Sequence, residues 1–249
     1  MNDAILVLGA TSAIAKAFCH RAAQKGSPLV LAGRDDAELQ RLAADLQIRY
    51  QAAVCVEHFD ALDWDGHADF FRRCLDRCQG RLAGVLLCYG QLGEQRATET
   101  DLAAARRTID VNFTSAVSIL NLVAEQMASQ KSGFIAAIGS VAGDRGRQSN
   151  YTYGAAKSAL ATYLQGLRNR LHPLGVHVLT VKPGFVDTPM TQGILKPNSP
   201  LVASPERVAR DIDVAVGRRR DVIYTPWYWW GIMTIIRSVP EFVFKRLRL

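Results

Sequence analysis

The stretch Ala4-Ile5-Leu6-Val7-Leu8-Gly9-Ala10-Thr11-Ser12-Ala13-Ile14-Ala15 decides the fold. Five apolar residues, enough for a buried strand, meet a glycine and a run of small side chains, and a helical pattern follows as far as Lys25. A strand joined to a helix by so tight a turn points backbone N–H groups and the positive end of the helix dipole at one place, which suits a pyrophosphate. Gly9, Thr11, Ser12, Ala13 and Ile14 are its candidate contacts. Only the first glycine of the dinucleotide pattern is kept, because Ala13 and Ala15 occupy the other two places. Tight packing without a ligand is the alternative.

The same alternation continues along the chain. Strand-length apolar runs occur at Ala4–Leu8, Leu29–Ala32, Val54–His58, Gly84–Cys88, Phe134–Ile138, Val176–Val181 and Val222–Tyr224. Helical patterns lie between them at Ala13–Lys25, Asp36–Tyr50, His67–Cys78, Leu102–Met127 and Gly154–Leu171. Buried-type strands separated by helices predict an α/β fold: a doubly wound, Rossmann-type, seven-stranded parallel sheet with helices on both faces. The expected organisation is a single domain over 1–226, with 227–249 as its apolar and basic C-terminal extension.

Composition agrees with this. A chain of 249 residues, 49% hydrophobic and 21% charged, is too apolar for a disordered segment and long enough to bury a core without disulfides. The five cysteines are scattered, and Cys74-x3-Cys78 has no second pair or histidine cluster to complete a zinc site, so no metal is expected. Reduced thiols and the lack of a signal-peptide pattern predict a cytoplasmic protein. From Arg218 onward seven bases face two acids, so the tail holds +5 of the net charge of +7. That basicity is local and does not describe a nucleic-acid surface.

The second strand ends Leu31-Ala32-Gly33-Arg34, roughly 20 residues past the turn, where dinucleotide folds select their cofactor. An acid there would take the ribose 2′-hydroxyl, whereas the fork of Arg34 suits a 2′-phosphate. Asp35, with Glu38 three residues on, fits a capping box for the next helix. NADP(H) is therefore expected over NAD(H), the alternative being an exposed arginine without a ligand.

Ser140, Tyr153 and Lys157 carry the chemistry. Ser140 follows the strand Phe134–Ile138 and Gly139, and Tyr153 and Lys157 share one helix face at a spacing of four. An ammonium near a phenol favours the phenolate and lowers the tyrosine pKa, so such a tyrosine can exchange a proton with a carbonyl oxygen. Tyr151 is a competitor, but its spacing to Lys157 points it elsewhere.

Taken in order, these positions resemble the short-chain dehydrogenases/reductases along nearly the whole chain. The matching set is Gly9-x3-Ala13-Ile14-Ala15, Asp60, Asn112, Ser140, Tyr153-x3-Lys157 and Pro183-Gly184-x-Val186-x-Thr188, with Ser140 13 positions before Tyr153. The resemblance implies that Tyr153 is the proton donor or acceptor and that Lys157 tunes it and holds the nicotinamide ribose. It also implies that Ser140 orients the substrate oxygen, Asn112 anchors a water relay and Asp60 contacts the adenine. Pro183, Gly184, Val186 and Thr188 would wrap the carboxamide. Of the family's Asn-Asn-Ala-Gly, Leu87-Cys88-Tyr89-Gly90 keeps only Gly90. The family further implies a homo-oligomer, dimer or tetramer, through Leu102–Met127 and Gly154–Leu171.

The tail contains Trp227-Tyr228-Trp229-Trp230 and, after Pro240, Phe242-Val243-Phe244-Lys245-Arg246. Its apolar run falls short of the ~18 residues of a spanning helix. Aromatics followed by bases suit an interfacial segment on anionic lipid, a flap over a lipid-linked substrate, or a subunit contact. Together with Asp144-Arg145-Gly146-Arg147-Gln148-Ser149-Asn150, the tail is similar to the decaprenylphosphoryl-2-keto-ribose reductases. That similarity implies a lipid-linked keto-sugar as substrate. The alternatives are a small soluble carbonyl compound and a non-catalytic nucleotide-binding regulator.

Overall fold

The computed structural model describes residues 3–191 and 199–247. Six strands, β1 (Ala4–Leu8), β2 (Leu29–Gly33), β3 (Val54–His58), β4 (Leu82–Leu87), β5 (Phe134–Ile138) and β6 (His177–Pro183), are followed by short β7 (Phe185–Val186) and β8 (Val202–Ala203), then β9 (Val222–Thr225). Among the described residues, seven of them form one parallel sheet of order β3-β2-β1-β4-β5-β6-β9, while β7 pairs with β8 alone. This is the Rossmann-type sheet expected from the apolar runs.

The helices are α1 (Ala13–Gln24), α2 (Asp36–Tyr50), α3 (His67–Arg77), α4 (Gln95–Thr100), α5 (Leu102–Ile109), α6 (Ser115–Gln130), α7 (Tyr151–Leu171), α8 (Pro205–Gly217), α9 (Tyr228–Ser238) and α10 (Glu241–Phe244). Apolar residues of α1, α2 and α8 pack on one face of the sheet, and those of α3, α6 and α7 on the other. Alternate residues of the central strands feed the two cores: Leu86 of β4 joins the first and Leu87 the second, both fully buried. Each such leucine contributes about 1.5–3 kcal/mol of burial.

Several elements differ from the sequence pattern, α4 and the β7–β8 pair among them. The expected helix Leu102–Met127 is broken into α5, a π-helical turn at Asp110–Thr114, and α6. Helix α8 is unannounced by the strand alternation, although Ser204 caps it and Pro205 opens it. The tail is a pair of helices docked on the domain, with Trp229, Met233 and Phe244 buried; Arg248 and Leu249 lie outside the described residues.

The strand order reverses between β1 and β4, because the chain moves outward through β2 and β3 and then returns to the other side of β1. Crevices open at such a reversal, outside the carboxyl ends of the strands. Gly9 closes β1 there with φ +79°, and a Cβ on it would lie 2.7 Å from the Tyr89 nitrogen just past β4. A side chain is excluded on both counts.

Candidate active site

The loops after six strands converge on this edge. Gly9–Ile14 follow β1, Arg34 follows β2, Asp60 follows β3, Gly90 follows β4, Ser140 follows β5, and Pro183–Thr188 end β6 and pass through β7. Asn112, Tyr153 and Lys157 arrive from the π turn and α7. The residues singled out in the sequence therefore share one edge of the sheet.

The β1–α1 turn is held by its own backbone. Gly9 and Ala10 N–H donate to the Ala32 carbonyl at 2.8 and 3.0 Å, and Ser12 caps α1 by accepting from Ala15 N–H at 3.3 Å. Ser12 Oγ also lies 3.1 Å from Cys88 Sγ, so the cysteine of the divergent Leu87–Gly90 segment ties β4 to the turn. Tyr89 beside it packs on Phe59 and accepts a hydrogen bond from Ser115 at 3.0 Å. The next residue, Gly90, has no room for a side chain: a Cβ would meet Asn112 Oδ1 at 2.8 Å and Lys157 Nζ at 3.3 Å.

At the end of β2, Arg34 is exposed and makes no hydrogen bond or ion pair to a described residue. Asp35 is engaged as the cap of α2, accepting from Glu38 N–H at 2.9 Å. Only half of the expected capping box forms, because the Glu38 carboxylate turns away to Lys16 and Arg41. Asp60 Oδ1 accepts from Leu62 N–H at 3.0 Å and fixes its own turn.

Asn112 is buried in the π turn, where Nδ2 donates to the carbonyls of Gln91 at 2.6 Å and Thr108 at 2.8 Å and Oδ1 accepts from Gln91 N–H at 3.2 Å. It thereby clamps the segment after β4 to α5. Such π turns recur at functional sites because the extra residue re-aims the backbone.

Tyr153 and Lys157 are buried on one face of α7. Burial pushes the Tyr153 phenol up to about 12, while a hydrogen bond from the Ser140 side chain pulls it back down. Burial lowers Lys157 to about 8. The net lowering of the tyrosine expected from the lysine is therefore not found, because burial gives a net rise. Lys157 Nζ donates to the Ile138 carbonyl at 2.9 Å and lies 5.7 Å from the Tyr153 ring centre, so burial of the ring outweighs the distant charge. Tyr151 is exposed at the start of the helix, beside Gln95 and Glu99.

A family model described as short chain dehydrogenase matches residues 3–199. The chain belongs to the short-chain dehydrogenase family. An uncharacterized oxidoreductase of Mycobacterium tuberculosis is 33% identical to this dehydrogenase over 243 residues, covering 98% of this chain and 96% of its own. An uncharacterized oxidoreductase of Streptomyces coelicolor is 32% identical over 244 residues, covering 98% and 95%. Among solved structures, a short-chain dehydrogenase from Sphingobium yanoikuyae in complex with NADPH superposes with a TM-score of 0.83 at 25% identity, covering 99% of this chain and 96% of that one. The bulky-bulky ketone specific alcohol dehydrogenase of Comamonas testosteroni shares the fold, with a TM-score of 0.79 at 22% identity over 100% and 96% of the two chains.

The C-terminal helices, which no local sequence signal assigns to this edge of the sheet, pack beside the candidate site. Trp229 of α9 lies against Gly184, where a Cβ would come within 1.9 Å of Trp229 Nε1, and it forms one buried cluster with Val141 and Met233. Arg145 fixes that helix by donating to the carbonyls of Ile236 at 2.8 Å and Val239 at 2.5 Å and to Glu241 at 2.8 Å, with Phe244 beneath its guanidinium. The segment after β6 continues through Val186, paired with Ala203, to Thr188, whose N–H and hydroxyl approach the Thr191 hydroxyl.

Proposed function

We propose that the protein is an NADP(H)-dependent carbonyl reductase, with Tyr153 as its proton donor. The observation that carries this is the buried Tyr153, with Ser140 acting on its phenol and buried Lys157 one helical turn away, beside the crevice where the strand order reverses. The residues fit a dinucleotide. Gly9 and Gly90 leave space that a Cβ would fill, the α1 N-terminus faces the same crevice, and Lys157 uses one of its three donors on Ile138. Unpaired Arg34 supports the phosphorylated cofactor, since Asp35 is committed to its helix cap. The NADPH complex of the Sphingobium yanoikuyae relative supports the same choice.

When bound, the reduced nicotinamide supplies the hydride. Ser140 donates a hydrogen bond to the substrate oxygen and positions it. Tyr153, kept protonated by burial, gives its proton to that oxygen as negative charge builds there, and the product is the alcohol. The Lys157 ammonium stabilises the phenolate left behind, and Asn112 holds the backbone after β4 against the lysine. A phenol protonated at neutral pH is the form that reduction requires. Consumption of NADPH with a panel of ketones by wild type and Tyr153→Phe tests this assignment.

The outward face of the tail supports a lipid-linked ketone, such as a polyprenyl-phosphate keto-sugar, and peripheral contact with an anionic membrane. Trp227, Trp230, Ile235 and Phe242 are exposed there, with Lys245 and Arg246 close in sequence. No helix among the described residues is long and apolar enough to cross a membrane. A shallow groove of about 800 Å³ along α7, lined by Phe113, Ala155, Ala159, Tyr163 and Gly166, supports pairing with a second copy.

A further inference from the structure

The loop between Ser140 and α7 uses its charges unevenly. Asp144 is fully engaged, accepting from Lys182 Nζ at 2.6 Å and from the Tyr224 hydroxyl at 2.7 Å. Arg145 is spent on the end of α9. Arg147 has no comparable duty. Its Nη2 reaches the Met233 sulfur at 3.3 Å, a weak acceptor, and its Nε is out of contact with solvent with no hydrogen-bond partner. Among the described residues no carboxylate lies within ion-pair distance of it, and residues 192–198 contain no Asp or Glu. Burial holds the guanidinium below its ordinary pKa, with Asp144 offsetting part of the effect from a distance. Three residues on, Asn150 Oδ1 is also buried without a partner.

The position of this cation matters as much as its lack of a partner. Met233 packs with Val141, which follows Ser140, and with Trp229, which lies on Gly184. Arg147 therefore reaches the buried cluster that α9 forms with Val141, the residue after Ser140. A half-buried cation whose only counter-charge is distant is costly, and nearby Arg145 already does the work of holding the tail.

We infer that Arg147 is a specificity-determining residue that binds an anionic oxygen group, phosphate or carboxylate, on the carbonyl substrate, while Asn150 Oδ1 accepts a substrate hydroxyl. The inference rests on the reductase assignment above and adds the substrate's charge. The planar fork of the guanidinium matches either anion through two parallel hydrogen bonds.

The test is calorimetric titration of the full-length protein saturated with NADP⁺, so that ketones bind without being reduced and the cofactor's own phosphate sites are filled. Two matched pairs serve as probes: ribulose 5-phosphate against ribulose, and acetoacetate against its methyl ester. Wild type is expected to bind the anion of at least one pair about tenfold or more tighter than its neutral partner. Arg147→Met and Arg147→Gln should each abolish that preference, with the melting temperature unchanged or raised, because a half-buried charge with no ion-pair partner among the described residues has been removed. Equal binding within both pairs by wild type overturns the inference. So does a preference that survives both substitutions, or a fall in melting temperature with the preference retained. The reductase assignment fails by a separate result, the absence of NADPH consumption with any ketone.

Discussion

Lys157 Nζ donates to the Ile138 carbonyl at 2.9 Å, immediately before Gly139 and Ser140. This bond holds the ammonium at the end of β5 while burial weakens its hold on the proton, to a pKa of about 8. The charged form is the one that stabilises a tyrosine phenolate, and it is lost as pH rises through that value. Reductive kcat/KM for NADPH, which reports groups of the free enzyme, should therefore fall above pH 8. Tyr153, at about 12, stays protonated through the same range. A pH–rate profile checks this, and in Lys157→Met the decline near 8 should be absent from a much lower rate.

Tyr153→Phe removes the transferable proton and keeps the buried ring. The expected loss in kcat is at least ~10²-fold, with cofactor affinity nearly unchanged. Tyr151→Phe should retain normal turnover, because that side chain is exposed beside Glu99. Parallel steady-state assays of the two variants decide between the tyrosines.

Arg34→Ala should weaken NADPH and leave NADH nearly unaffected, since only NADPH carries the 2′-phosphate. The loss of a charge-assisted hydrogen bond corresponds to ~1.5–3 kcal/mol. Fluorescence titration of both cofactors measures it. Equal weakening of the two would transfer the selection to another residue.

The two faces of α9 should behave differently. Trp229→Ala removes a buried indole beside Gly184 and should cost about 3–5 kcal/mol of stability, together with activity on every ketone. Trp230→Ala with Ile235→Ala changes exposed positions, so stability should move by less than about 1 kcal/mol. If the outward face meets anionic lipid, the double substitution should abolish flotation with anionic vesicles at low salt. Failure of the wild-type protein to float removes the membrane contact. Deleting the tail is a poor probe, because the same helix walls the site.

The parts legible in the sequence are those whose physics is local. Ala4–Leu8 and its small-residue turn announce a strand and a helix N-terminus without help from the rest of the chain, and the same holds for Tyr153 and Lys157 on one helix face. The π turn at Asn112 was not legible, because its partner Gln91 lies after a different strand. Arg145 and the α9 carbonyls are more than 90 positions apart, so nothing near Arg145 in sequence marks its duty. Glu38 shows the reverse limit. Its spacing from Asp35 matches a capping box, yet Lys16 of α1 takes its carboxylate.

The central claim is that Tyr153 donates the proton while a hydride passes from nicotinamide to a carbonyl carbon. Its most direct test is transfer of the label from [4-²H]NADPH to a ketone panel, followed by mass spectrometry in wild type and Tyr153→Phe. The account predicts deuterium on the carbinol carbon with wild type, and formation of the same product at least ~10²-fold slower in the variant. Label that never leaves the cofactor with any ketone, or equal rates in the two proteins, would contradict it.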